Sequence, residues 1–135
     1  MNPAKIFIVE DERFLSTILA NRLKKEGFEV EQAFDGQEAI DMLRTKRPDL
    51  IIVDLILPVR SGFEVLESIS KNPELSHVPV IALTNLGQET DMEKAKSLGV
   101  VDYHIKIRTS VDDFVSIIKS NISKLQDAGT AQNSQ

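Results

Sequence analysis

Short apolar runs alternate with amphipathic segments along this chain, five times over. The runs lie at about Lys5 to Val9, Phe28 to Ala33, Asp49 to Val53, Val78 to Leu83 and Val101 to Ile105, and their length and Val/Ile/Phe content predict strands. Between them, apolar residues recur at helical spacing. Phe14, Leu15, Ile18, Leu19 and Leu23 mark one face of a first helix, which Gly27 ends in the left-handed cap position. A second helix, about Gln37 to Thr45, turns Ala39, Ile40 and Leu43 inward before Pro48 forbids continuation. A third spans about Phe63 to Ser70, and a fourth about Glu89 to Leu98, closed by Gly99. The fifth is capped by Thr109 or Ser110 and aligns Val111, Phe114, Val115, Ile118, Ile122 and Leu125.

Strands and helices alternating in repeats of roughly 20 to 25 residues imply right-handed crossovers and a parallel sheet covered on both faces. The nearly continuous Leu50-Ile51-Ile52-Val53 reads as a central strand buried on both sides. The domain is expected over residues 4–126. Residues 127–135 are small and polar, and are expected to form a disordered tail or the stub of a linker.

With 135 residues the chain makes one domain, and 41% hydrophobic with 27% charged residues describes an ordinary globular protein. No apolar stretch approaches the roughly 20 residues that span a bilayer, so no membrane association is expected. The opening Met1-Asn2-Pro3-Ala4-Lys5 carries no signal-peptide hydrophobic region, which predicts a cytoplasmic chain. The absence of cysteine removes disulfides, thiolate nucleophiles and Cys-based metal sites. A net charge of −5 without a clustered basic surface argues against direct nucleic-acid binding.

Polar residues at the downstream ends of the runs supply the candidate chemistry. Glu10 and Asp11 close the first run and Asp54 the third. As ends of neighbouring parallel strands, these acids converge in a crevice at one edge of the sheet. Converging carboxylates repel one another, so the cluster wants a cation. Hard oxygen ligands of this kind suit magnesium, which favours a phosphate oxygen among its partners. An aspartate there can attack phosphorus to give an acyl phosphate. Thr84 and Lys106, at the ends of the fourth and fifth runs, are suited to holding the oxygens of a transferred phosphoryl group. A plainer reading stands beside this one. Lys106 also serves as partner in a purely structural ion-pair network, threonine is common at strand ends, and Tyr103 fits equally as a half-buried strand aromatic. His77 and His104 read as incidental, one in a polar loop and the other with no second ligand at metal spacing.

Five segments in order narrow the choice. Ile8-Val9-Glu10-Asp11-Glu12, Pro48 to Pro58, Ser61-Gly62-Phe63, Pro79-Val80-Ile81-Ala82-Leu83-Thr84 and Asp102-Tyr103-His104-Ile105-Lys106 resemble a response-regulator receiver domain of two-component signalling, the single-domain kind typified by the chemotaxis regulator. The resemblance covers roughly residues 4 to 125. It implies a flavodoxin-like doubly wound fold, with a five-stranded parallel sheet in the order 2-1-3-4-5 and five helices. By the same resemblance Asp54 is the phosphoacceptor, and Glu10, Asp11 and Asp54, with the backbone carbonyl of Ile56, form the Mg2+ pocket, Asp11 ligating directly. Thr84 is then the switch hydroxyl, Lys106 the salt-bridge partner, and Tyr103 the aromatic whose rotamer reports the change. The implied partners are a sensor histidine kinase or phosphotransfer protein, and an output protein on the surface of the fourth helix, fifth strand and fifth helix. The protein is then a signalling switch rather than an enzyme, catalysing only its own phosphoryl transfer and dephosphorylation.

Several positions depart from the family pattern. Ile107 replaces the proline that normally follows the lysine through a cis bond. A cis bond before a non-proline residue costs about 2.5 to 4 kcal/mol, so a trans bond and a rerouted Lys106 are expected. Val59-Arg60-Ser61 replace the usual loop residues, and Gly62 is expected to keep the turn. Asn85 stands where a small residue is usual, placed to hinder water or to hydrogen-bond the phosphoryl group. Ile56 and Leu86, both apolar, are expected to flank that group without orienting a water, which implies slow self-dephosphorylation. Two other classes stay open: a receiver-like interaction module independent of phosphorylation, and an enzyme, either an aspartyl-phosphate phosphatase or a flavin protein. Against the phosphatase, Ile56 occupies the place of its second aspartate.

Overall fold

In a computed structural model, which describes residues 2–133, the chain folds as β1 (Lys5–Val9), α1 (Arg13–Lys25), β2 (Glu29–Ala33), α2 (Gly36–Leu43), β3 (Leu50–Val53), α3 (Gly62–Lys71), β4 (Val80–Thr84), α4 (Glu89–Ser97), β5 (Val100–Ile105) and α5 (Val111–Asn133). A single 3-10 turn, Lys106–Arg108, separates β5 from α5. All strand pairs are parallel and the sheet order is β2-β1-β3-β4-β5, the flavodoxin-like arrangement expected from the sequence.

Alternation along the strands divides the core between the two faces of the sheet. Phe7, Val9, Ile51, Val53, Val80 and Ala82 pack against Val65, Leu66 and Ile69 of α3 and Ala39 and Leu43 of α2. Ile6, Ile8, Leu50, Ile52, Ile81 and Leu83 meet Leu19 and Leu23 of α1 and Phe114, Val115, Ile118 and Ile122 of α5. All four residues of β3 are buried, as its unbroken apolar run requires.

Register brings the site together. Val9 pairs with Val53 across β1 and β3, so the residues that follow, Glu10 and Asp54, leave the sheet side by side. Thr84 pairs with Ile105 across β4 and β5, which places Lys106 at the same edge. Because the chain passes from β1 to β2 on one side and to β3 on the other, the carboxyl ends of β1 and β3 frame the crevice of a topological switch point.

One expectation is corrected. Phe14 is 82% exposed, not part of the buried face of α1, which consists of Ser16, Leu19, Ala20 and Leu23. Leu19 lies five positions beyond Phe14, a rotation that leaves the two roughly 140° apart around the helix. At its other end the α5 backbone continues to Asn133. That stretch lacks a proline to stop the helix, and Ala128 and Ala131 are strong helix formers, so its polar composition removes packing partners without removing helicity. Residues 134–135 lie outside the described part. Gly27 and Gly99 close α1 and α4 at φ 96° and 102°, as expected of left-handed caps. Among the described residues no helix is long and apolar enough to cross a membrane.

Candidate functional site

Lys106 is the hub of the site. Its Nζ lies 2.6 Å from Glu10 Oε1, 2.6 Å from Asp54 Oδ2 and 2.8 Å from Glu12 Oε2. Asp54 and Glu10 are 4% and 2% exposed, so two of these partners sit essentially out of solvent. Their remaining oxygens are held by backbone amides. Ile56 N–H donates to Asp54 Oδ1 at 3.0 Å, and Glu12 N–H donates to Glu10 Oε2 at 3.1 Å. Glu12 occupies the N-cap position of α1 yet makes no capping hydrogen bond, because its carboxylate is turned to Lys106 instead.

Asp11 is exposed, and oxygens from Glu10, Asp11 and Asp54 come within 4.8 Å of one another. Among the described residues, Glu10, Glu12 and Asp54 thus share the one ammonium of Lys106, and Asp11 adds a further carboxylate beside Glu10 and Asp54. That imbalance, in an all-oxygen donor set, fits a hard divalent cation. The titration behaviour agrees. Burial pushes Glu10 up to about 7, outweighing its hydrogen bonds to Lys106 and the Glu12 amide. Burial also acts to lower Lys106, but hydrogen bonds to Asp54, Glu10 and Glu12 outweigh it and hold the ammonium above its ordinary range.

These groups border a cleft of about 210 Å³ lined by Asp11, Glu12, Asp54, Ile56, Asn85 and Lys106. Two larger cavities, of about 490 and 530 Å³, open at the amino-terminal edge of the sheet, far from the acids. Chemistry, not size, marks the smaller cleft as the site.

Thr84 is fully buried at the end of β4, and its Oγ1 accepts the Leu86 N–H at 3.4 Å. Tyr103 donates its hydroxyl to the Leu86 carbonyl at 2.6 Å, and burial first, then Asp91 and Asp54, raises its pKa. Leu86 packs into the core beside Tyr103 and does not line the cleft, unlike the flanking position expected for it. Ile56 does line the cleft and is 52% exposed.

The turn after β5 departs from expectation in one respect. Among the described residues no peptide bond is cis, as anticipated without proline, yet Lys106 still reaches Asp54. The free N–H of Ile107 donates to Asn85 Oδ1 at 3.1 Å, so the two unusual residues are bonded to each other. Gly62 is needed for close approach, not for its φ: a Cβ there would stand 2.3 Å from the Asp54 carbonyl oxygen and 2.4 Å from Leu55 Cα. In that loop the left-handed conformation belongs to Val59, at φ 70°.

Fold and cleft together define a doubly wound α/β protein with an acidic site at its switch point. The family model for the response regulator receiver domain matches residues 6–119, and the chain belongs to that family. Among solved structures, it is similar to the phosphorylated cyanobacterial phytochrome response regulator RcpA, at 33% identity and TM-score 0.77, with 87% of this chain and 90% of that one covered. The receiver domain of sensor histidine kinase PA1611 from Pseudomonas aeruginosa, with a magnesium ion coordinated in its active-site cleft, matches at 28% identity and TM-score 0.77, covering 87% and 96%. Vibrio cholerae chemotaxis protein CheY4 matches at 25% identity and TM-score 0.80, covering 87% and 98%. Receiver domains are signalling switches of two-component systems, which interact with histidine kinases or phosphotransfer proteins and bind Mg2+ in an acidic pocket.

Glu12 is the site residue that sequence reasoning passed over. Its signal was present in the run Glu10-Asp11-Glu12, but only the fold reveals that α1 turns its first carboxylate back toward Lys106.

Proposed function

We propose that this receiver domain accepts a phosphoryl group on Asp54 and uses the resulting acyl phosphate to switch a protein-interaction surface. The observation that carries the reading is the buried Asp54 carboxylate held 2.6 Å from Lys106, with Glu10 and Asp11 oxygens within 4.8 Å of its own. An Asp54 carboxylate oxygen forms the new O–P bond while the N–P bond of a phosphohistidine breaks and the imidazole nitrogen departs with the electron pair. The donor is a sensor histidine kinase or a phosphotransfer protein. Glu10, Asp11, Asp54 and the Ile56 carbonyl would hold Mg2+, which when bound neutralises phosphoryl oxygens. Lys106 leaves its carboxylate partners for the incoming phosphoryl oxygens, and the Thr84 hydroxyl gives up the Leu86 amide to join it.

Leu86 links site to surface. Its amide binds Thr84 and its carbonyl binds Tyr103, so a displaced Thr84 disturbs the hydrogen bond that anchors Tyr103 beside α4. The output face is that of α4, β5 and α5, in a cytoplasmic setting without direct nucleic-acid contact. Moving such a population from mostly inactive to mostly active takes roughly 5 kcal/mol of differential interaction, within reach of a dianion contacted by an ammonium, a hydroxyl and a metal. Incubation of the wild type and Asp54→Ala with acetyl phosphate and Mg2+ tests the reading, with labelling expected only in the wild type. With Ile56 and Asn85 at the cleft and no acid or amide at position 56 to orient water, the acyl phosphate is expected to decay slowly. Loss as fast as in quick chemotaxis-type regulators would contradict that.

A further inference from the structure

The turn that carries Lys106 is held by hydrogen bonds rather than by packing. No residue of Lys106–Arg108 is buried, and the Ile107 side chain is 82% exposed. Two bonds close the turn on itself, Thr109 N–H to the Lys106 carbonyl at 3.2 Å and the Thr109 hydroxyl to the Ile105 carbonyl at 2.8 Å. The bond from Ile107 N–H to Asn85 Oδ1, at 3.1 Å, differs from both because it ties the turn to the loop after β4. It acts on the planar peptide unit joining Lys106 to Ile107, and so fixes the orientation of the backbone directly after the lysine's Cα.

We propose that Asn85 is a positioning residue for Lys106, its carboxamide clamping the Lys106–Ile107 peptide so that the lysine is presented to Asp54. A proline at position 107 would have no N–H to give, so the clamp requires a non-proline residue there, as Ile107 is. The same bond sets the amide's orientation. Only its carbonyl oxygen can accept, which leaves the NH2 group as the end available to the cleft that Asn85 lines. Asn85 also follows Thr84 directly, so one residue connects the switch hydroxyl's strand to the lysine's turn.

The kinetic consequence rests on the phosphoacceptor reading of Asp54, whereas the clamp itself does not. Two measurements separate them. Amide hydrogen exchange followed by NMR in Mg2+-free wild type should show Ile107 N–H protected, with exchange about fivefold faster in Asn85→Ala, the factor one lost hydrogen bond commands, and the β4 amides unchanged. Equal Ile107 exchange in the two proteins overturns the clamp, whether or not the chain takes a phosphoryl group. Phosphorylation by acetyl phosphate should slow about fivefold in Asn85→Ala, again one hydrogen bond's worth, while the Mg2+ dissociation constant stays the same. In an Ile107→Pro background, which lacks the N–H, Asn85→Ala should add no further slowing. Slowing of the same size in both backgrounds means that Asn85 acts without the Ile107 amide, and overturns the proposal. Absence of labelling in the wild type, with Ile107 protected by Asn85, would sink the phosphoacceptor reading and leave the clamp standing.

Discussion

Lys106 and Glu10 carry the electrostatics of the site in opposite senses. The lysine, 9% exposed at its side chain, offsets Glu10 and Asp54, and its removal leaves two buried carboxylates uncompensated. Lys106→Ala is therefore expected to destabilise the Mg2+-free protein by about 3 kcal/mol, the low end for breaking a buried pair. The same substitution deletes a positive charge beside the acids and should tighten Mg2+ binding. Urea unfolding in chelator and a calorimetric Mg2+ titration check the two halves, and weaker Mg2+ binding would contradict the second. Glu10 titrates in the folded state at about 7 against an ordinary 4.5. A carboxyl with a raised folded value holds its proton more tightly when folded, so its contribution to stability falls as pH rises from about 4.5 to about 7 and then levels. Glu10→Gln lacks this titration. In chelator its stability should gain on that of the wild type across the same interval, and parallel pH–stability curves would refute the assignment.

At the scale of elements, the loop from β3 to α3 is the strained part of the site. Gly62 lies against the backbone of Asp54 and Leu55, so Gly62→Ala must push apart the segment that carries the proposed phosphoacceptor. A loss of about 1–3 kcal/mol by urea unfolding, as overpacking commonly costs, is expected, with slower phosphorylation alongside. Val59 holds a left-handed φ of 70° that a β-branched residue adopts only under constraint. Val59→Gly should relieve that strain and raise the urea midpoint, and an unchanged or lowered midpoint would show that other contacts of Val59 matter more. The sequence already carried the order of elements, because each strand run and each helix stripe has its own period. Loop geometry is less visible: the sequence marks Gly62 as a turn residue, but its role comes from backbone contact across the loop.

For the molecule as a whole, parallel pairing explains why so much of the site could be read from a linear sequence. Residues at the downstream ends of β1, β3, β4 and β5 must meet at one edge, so the convergence of Glu10, Asp54, Thr84 and Lys106 is legible in the sequence. What stayed hidden depends on side-chain direction. Glu12 turning from its helix to Lys106, Leu86 leaving the cleft for the core, and Asn85 accepting the Ile107 amide have no periodic signature. The helical backbone after Leu125 is equally hidden, since composition reports packing partners and not backbone hydrogen bonding. The whole arrangement serves one claim, that Asp54 takes the phosphoryl group. Intact-protein mass spectrometry after incubation with acetyl phosphate tests it most directly, comparing the wild type with and without Mg2+ and Asp54→Ala with Mg2+. A single added phosphoryl group is expected in the wild type with Mg2+ and none in the other two samples. A phosphoryl group on Asp54→Ala equal to that on the wild type, or none on the wild type, would contradict it.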